Sequence, residues 1–449
     1  MMKKIFMTFT VILCCTMTMM TFSACSDDNS NNSDGGNDKR KYSLNQKIVQ
    51  RRHCHGLQKL ANDMLNLQFE QIVFEYTSVG PDLKTPVQLT GVISMNAAVY
   101  NKQQAPFGLM LYNEFTTAKH QERTSQNEYD DVALYMNKFQ NIIAVSADLY
   151  GWTLTENKPQ AYCCPEITAV ETIDAWDAAM AILKEEGYDI NGLPTFNVGY
   201  SSGGFSAIAV QRYTDENRPD LHWDMTAAGA APFNINTVYK DNTESEISGY
   251  ACSFPLVVVA YKETYGLDFE YSEVFQKPLC DNIQKWILSK DYNTWEINGL
   301  IAGRKELADK CPVDKILTPE ARYLQSKVGQ VLTKKFRENS LCGEGQTWQP
   351  SKTTQFMILH SKGDKYMDWK VGKEMADYLK SKGCKVSEDF SDYGNHVNYG
   401  LFIQIGQTMM DMLPFMKNAD EIADEVENEI VNQLQGFVEA MDDTPIEGI

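Results

Sequence analysis

Phe196-Asn197-Val198-Gly199-Tyr200-Ser201-Ser202-Gly203-Gly204 reads as the end of a strand, a tight turn and the start of a helix. Phe196 to Tyr200 is short and mostly apolar, and Ser202 to Tyr213 continues with helical spacing. Gly199-Tyr200-Ser201-Ser202-Gly203 fits the pattern G-x-S-x-G. In that pattern a serine sits on a strained strand-to-helix turn, and its flanking residues are small because the turn leaves no room for side chains. Ser201 is the candidate nucleophile. Ser202 is the second candidate, but Tyr200 rather than glycine stands two places before it.

The same alternation of strand and helix runs outward from this turn. Gln71 to Val79 and Val87 to Met95 alternate apolar and polar residues around a Gly80-Pro81 turn, as half-buried strands do. Phe107 to Leu111 and Ile142 to Val145 are continuous apolar runs suited to strands buried on both faces, with a helix-like stretch from Val132 to Phe139 between them. Pro165 opens a helix whose apolar stripe includes Val170, Ile173, Trp176, Met180 and Leu183, and Gly187 closes it. Met225 begins another apolar strand. Downstream come a strand at Phe356 to Leu359, a helix at Val371 to Leu379 and a strand at Val386 to Phe390. This order predicts an α/β fold with a mostly parallel sheet covered by helices.

Between Asn234 and Thr353 the rhythm stops. Phe254 to Tyr261 and Ile283 to Leu288 look helical, and Thr318-Pro319-Glu320 starts a helix carrying Leu324, Val328, Val331, Leu332 and Phe336. Residues 235–353 are therefore expected to form a helical lid inserted between the two parts of the core, 42–234 and 354–416. Residues 417–449 hold ten acids and one lysine and suit an amphipathic acidic helix.

A serine needs a base to take its proton, and only six histidines are available. His53 and His55 flank Cys54 ahead of any expected strand, in what reads as a plain surface segment. His120 follows the Phe107 strand, His222 lies beside Trp223 ahead of the Met225 strand, and His360 ends a strand, where a packed or turn-bonded ring is expected. His396 sits in Tyr393-Gly394-Asn395-His396, after the last expected strand, and is the candidate base. Asp364, in the turn His360-Ser361-Lys362-Gly363-Asp364, is the candidate acid, with Asp368 as competitor and Asp389 and Asp392 less suitably placed. Each of Ser201, Asp364 and His396 follows an expected strand, where an open parallel sheet places its site.

With these residues in view, the chain resembles an α/β-hydrolase of the secretory-lipase type and related bacterial serine esterases, from about Phe74 to Phe415. The resemblance rests on Val73-Phe74-Glu75-Tyr76-Thr77-Ser78, Ala147-Asp148-Leu149-Tyr150-Gly151-Trp152, the Ser201 turn with Gly204, the Asp364 turn and Gly394-Asn395-His396. It implies a Ser201, Asp364, His396 triad, a helical lid, and cleavage of small-molecule or lipid-like carboxylic esters. Two departures stand out: Tyr112-Asn113-Glu114-Phe115 replaces the family's usual His-Gly, and Asp368 stands where a proline is common. An oxyanion hole would combine the Ser202 backbone N–H with that of Glu114 or Phe115, and a charged Glu114 would harm it unless its side chain turned away. A serine peptidase on the same fold and a catalytically dead binding protein are the alternative readings.

The 449-residue chain carries a net charge of −19, which argues against a nucleic-acid partner. Lys3-Lys4, an uncharged run from Ile5 to Phe22 and Phe22-Ser23-Ala24-Cys25 resemble a bacterial lipoprotein signal. Residues 1–24 would then be removed, Cys25 would carry lipid, and 25–41, rich in Asp, Asn, Ser and Gly, would be a flexible tether. That implies export, with the lipid anchoring the domain at the outer membrane or cell surface. Eight cysteines outside the signal and Cys25 permit disulfides. Without a CxxC pair, HExxH or Walker A sequence, no metal or organic cofactor is expected.

Overall fold

The computed structural model describes residues 42–55, 68–126, 141–392, 394–398, 408 and 412–415. The signal, Cys25, the tether, the Val132 to Phe139 stretch, Tyr393 and the acidic C-terminal segment lie outside the described residues.

Nine strands form one sheet: β1 (Lys47–His55), β2 (Gln68–Val79), β3 (Pro86–Asn96), β4 (Gly108–Asn113), β5 (Ile142–Asp148), β6 (Thr195–Tyr200), β7 (Met225–Gly229), β8 (Gln355–Leu359) and β9 (Lys385–Asp389). Their order is β1-β2-β3-β5-β4-β6-β7-β8-β9. The first three pairings are antiparallel and the remaining five parallel. The β2–β3 hairpin pairs from Phe69 opposite Asn96 to Val79 opposite Pro86. Its turn is held by Asp82, whose carboxylate accepts the Lys84 and Thr85 backbone N–H groups.

The parallel strands need long crossovers, and helices supply them. Helix α1 (Pro165–Glu185) links β5 to β6, and α2 (Ser202–Asn217) links β6 to β7. Pro165 opens α1, and Gly187, with φ +76°, lies just beyond its end. Trp176 of α1 packs edge-on against Trp223 at 4.8 Å. Helix α3 (Ile235–Glu244), α4 (Ser253–Tyr265), α5 (Thr294–Ala302) and α6 (Lys327–Asn339) occupy the 235–353 insertion, and α7 (Lys370–Ser381) links β8 to β9. This is an α/β-hydrolase fold, with a mostly parallel sheet flanked by helices.

The sequence expectations need two corrections. His53 belongs to a strand: β1 pairs with β2, and His53 Nδ1 stands 2.6 Å from Glu70 Oε1. Lys47, Arg51 and Arg52 hide the apolar alternation, but charged side chains suit a sheet edge. The helix beginning at Thr318 stops at Arg322; Tyr323 is extended, and Ser326 caps a separate helix, α6, through the Gly329 N–H. Gly329 packs so closely there that a Cβ would stand 2.6 Å from the Tyr323 carbonyl oxygen. Cys163, Cys164, Cys252, Cys280, Cys311, Cys342 and Cys384 are free thiols.

Candidate functional site

The ends of β6, β8 and β9 bring three loops together. Ser201 lies between β6 and α2 with φ 54° and ψ −126°, a strained backbone for a residue with a side chain. Its N–H donates to the Gly229 carbonyl at 2.8 Å, which ties the turn to β7. Glycine is needed on both sides. A Cβ at Gly199 would stand 2.1 Å from the Gly203 oxygen, and one at Gly203 would stand 2.1 Å from the Asn113 oxygen.

Ser201 Oγ is 3.0 Å from His396 Nε2, and His396 Nδ1 is 2.6 Å from Asp364 Oδ2. An ionised carboxylate only accepts, so the proton between them belongs to Nδ1, which leaves Nε2 to accept from Ser201. The Asp364 side chain is fully buried and that of His396 nearly so. Burial pushes the Asp364 carboxyl up, but the charges of His396 and His360 and their hydrogen bonds outweigh it and hold the group well below the usual carboxylate range.

Backbone bonds lock the aspartate turn to the histidine loop. His360 N–H donates to the Asp389 carbonyl and Lys362 N–H to that of Ser391. Ser361 Oγ–H donates to the Gly394 carbonyl at 2.8 Å and accepts the Gly363 N–H at 3.0 Å. Asp364 Oδ1 accepts the Tyr366 and Met367 N–H groups at 2.7 and 3.2 Å. The His396 ring lies between those of Tyr366 and Tyr200, at 4.7 and 5.2 Å, and the Tyr200 hydroxyl donates to the His396 carbonyl.

The other acids are engaged elsewhere. Asp368 accepts the Lys370 N–H and pairs with its side chain at 3.3 Å, and Asp392 is exposed beside Lys362. His120 is 3.0 Å from the Ser289 carbonyl, and His222 is 3.8 Å from Asp224.

Ser202, the second serine considered, opens α2, so its backbone N–H is one of the four at a helix start without an intrahelical partner. The loop after β4, with Glu114 and Phe115, touches the same helix start: the Gly203 Cβ position is 2.8 Å from the Glu114 carbonyl oxygen. The Glu114 carboxylate pairs with the buried Arg123 at 2.9 Å. Arg123 also donates to Thr117 and the Ala147 carbonyl and lies over the Trp152 ring. Arg123 also stands 3.5 Å from the buried Asp148, so one guanidinium faces two carboxylates. Sequence reading missed Arg123, which no motif marks, and the contact of His360 with Asp364, for which the four-residue spacing was the available signal.

A cleft opens above Ser201 and His396. Tyr162, Pro232, Tyr366 and Met367 line its core side, and Ile235, Val238, Tyr250, Phe254 and Val257 line its insertion side. Two lining hydroxyls are already bonded: Tyr162 with Thr116, and Tyr239 with the Ala321 carbonyl. The walls therefore offer chiefly apolar surface. No group of three or more His, Cys, Asp or Glu side chains among the described residues could hold a metal ion.

No protein-family model matches the chain, and no curated protein matches it. Solved structures do. A putative hydrolase from Legionella pneumophila is similar with TM-score 0.69 at 17% identity, over 83% of this chain and 98% of that one. The rice cell wall degrading esterase LipA from Xanthomonas oryzae gives 0.64 at 16%, over 85% and 98%. Candida antarctica lipase A in its closed state gives 0.60 at 10%, over 87% and 90%. At such identities the likeness is one of fold.

Proposed function

We propose that this chain, an α/β-hydrolase by fold, is a serine hydrolase of carboxylic esters. The observation that carries the reading is the continuous hydrogen-bonded path from Ser201 through His396 to Asp364 on the strained turn. The esterase and lipase names of two similar structures favour ester substrates.

In this reading Ser201 Oγ attacks the ester carbonyl carbon while His396 Nε2 takes its proton. The carbonyl oxygen becomes an oxyanion, bound by the Ser202 N–H and by that of Glu114 or Phe115. Collapse breaks the bond to the alcohol, which leaves with the proton from Nε2, and Ser201 keeps the acyl group. Water then gives its proton to Nε2 and attacks the acyl-enzyme; collapse returns the proton to Ser201 and frees the acid. Asp364 fixes the imidazole and stabilises its charged form, and the Tyr200 and Tyr366 rings pack tilted against it. The apolar cleft suits an acyl chain. Cys25, lipidated after cleavage, would hold the enzyme at the outer membrane or cell surface, where lipid-like esters are at hand; loss of fatty-acid labelling in Cys25→Ala tests that placement.

The deciding experiment treats the domain from residue 42 onward with a fluorophosphonate and maps the labelled peptide. The expected result is labelling at Ser201, lost in Ser201→Ala and His396→Ala. Absence of label in folded wild type overturns the reading if the same preparation also fails to cleave small p-nitrophenyl esters.

A further inference from the structure

We infer that His360 is a positioning residue of the triad: it gives Asp364 Oδ2 a second N–H donor and so holds that oxygen opposite His396 Nδ1. This rests on the serine-hydrolase reading above.

His360 is fully buried, and its Nε2 stands 2.9 Å from Asp364 Oδ2, the same oxygen that faces His396 Nδ1 at 2.6 Å. The other oxygen takes two backbone N–H groups, so four donors surround one carboxylate. His360 Nδ1 is buried and has no hydrogen-bond partner among the described residues. Gly372 of α7 faces it, with its Cβ position 3.0 Å from Nδ1. A proton on Nδ1 would therefore be a buried, unpaired donor, whereas a proton on Nε2 meets a carboxylate. The geometry therefore places an N–H on Nε2, facing Asp364.

Without the His360 donor the carboxylate would keep its two backbone N–H bonds on Oδ1, but Oδ2 would lose the side chain that fixes it opposite His396 Nδ1. The titratable groups facing the two imidazoles are Asp364 and Tyr366 from the turn and Tyr200 from the end of β6. Around the Gly372 contact, Phe390 beyond β9 also brings no charge, while Cys252 and Asp309 of the insertion act on Tyr366.

The test compares kcat and KM of wild type, His360→Phe and His360→Gln on a p-nitrophenyl ester. Phe fills the site without a donor, and Gln can return one. In His360→Phe kcat should fall by about tenfold, the loss of one hydrogen bond to a charged group, with KM unchanged. His360→Gln should return kcat toward wild type. A folded His360→Phe with wild-type kcat, or a Gln variant as slow as Phe, overturns the inference. Should His360→Phe not fold, ¹⁵N-histidine NMR of wild type decides: the His360 imidazole should carry its N–H on Nε2. An Nδ1–H tautomer of His360 overturns it. Wild type that neither labels nor cleaves ester defeats the triad reading instead, and the NMR result still reports on His360.

Discussion

Asp364 and Asp368 lie four residues apart, yet only Asp364 faces His396. Asp364→Asn should lower kcat by on the order of 10⁴, since the amide no longer stabilises the imidazolium or fixes its tautomer. Asp368→Asn should leave kcat within about threefold, because an exposed pair contributes little. Ester hydrolysis by the two purified variants checks this, and a large loss in Asp368→Asn would move the acid's role. Asp364 also predicts a stability limb. Its folded pKa is depressed below the unfolded value near 3.9, so its contribution is complete above about pH 4 and is lost as pH falls further. Thermal melts from pH 6 downward should show that limb flattened in Asp364→Asn. The meeting of Ser201, His396 and Asp364 was legible because each carries a local mark: a glycine-flanked turn, or a loop after a strand. That His360 and His396 share one oxygen was not, since only the turn's three-dimensional course brings them there.

Elements were legible where burial imposed a pattern. The two-face-buried strands β4 and β5 read as apolar runs, and Pro165 and Gly187 bracket α1. Edge strand β1 lacked that signal, and the break at Tyr323 depends on the packing of Gly329 rather than on helical spacing. Helix α1 also hides an acid that spacing did not single out. Glu171 is fully buried; its Oε2 accepts the Tyr150 N–H at 2.9 Å, and Oε1 has no partner among the described residues. Burial pushes its pKa well up, with nearby Asp174 adding to the rise. The folded state therefore keeps a proton that the unfolded chain releases above about pH 4.3. Stability attached to this group falls as pH rises from that point toward the raised folded value. Glu171→Gln keeps the acceptor for Tyr150 and removes the titration. Its Tm at pH 8 should exceed wild type by about 2 °C, with the difference shrinking toward pH 4. Equal melting curves across that range would show that Glu171 does not hold its proton.

Across the whole molecule, the insertion is fastened to the core rather than hung beside it. Lys290 is buried, and its ammonium donates to the Glu156 and Lys158 carbonyls at 2.6 and 2.7 Å. Tyr261 of α4 donates to the Cys163 carbonyl, and Asn234 accepts from Ser340. Its helices α3 and α4 then form one wall of the cleft above Ser201. A wall fixed in this way should set the acyl length by shape. Val257 is partly exposed on that wall, so a larger side chain there can extend into the cleft without overfilling the core. Val257→Trp should reduce kcat/KM for an octanoyl ester by about tenfold or more, since even one methylene in a hydrophobic pocket is worth about 10-fold or more. Acetyl ester hydrolysis and fluorophosphonate labelling at Ser201 should change by less than about threefold, because neither needs the full depth of the cleft. A panel of p-nitrophenyl esters from acetate to octanoate reads the difference directly. An equal loss at every length would mean that the introduced indole disturbs the triad, and unchanged rates at every length would place the acyl chain along the core side, beside Tyr162 and Met367.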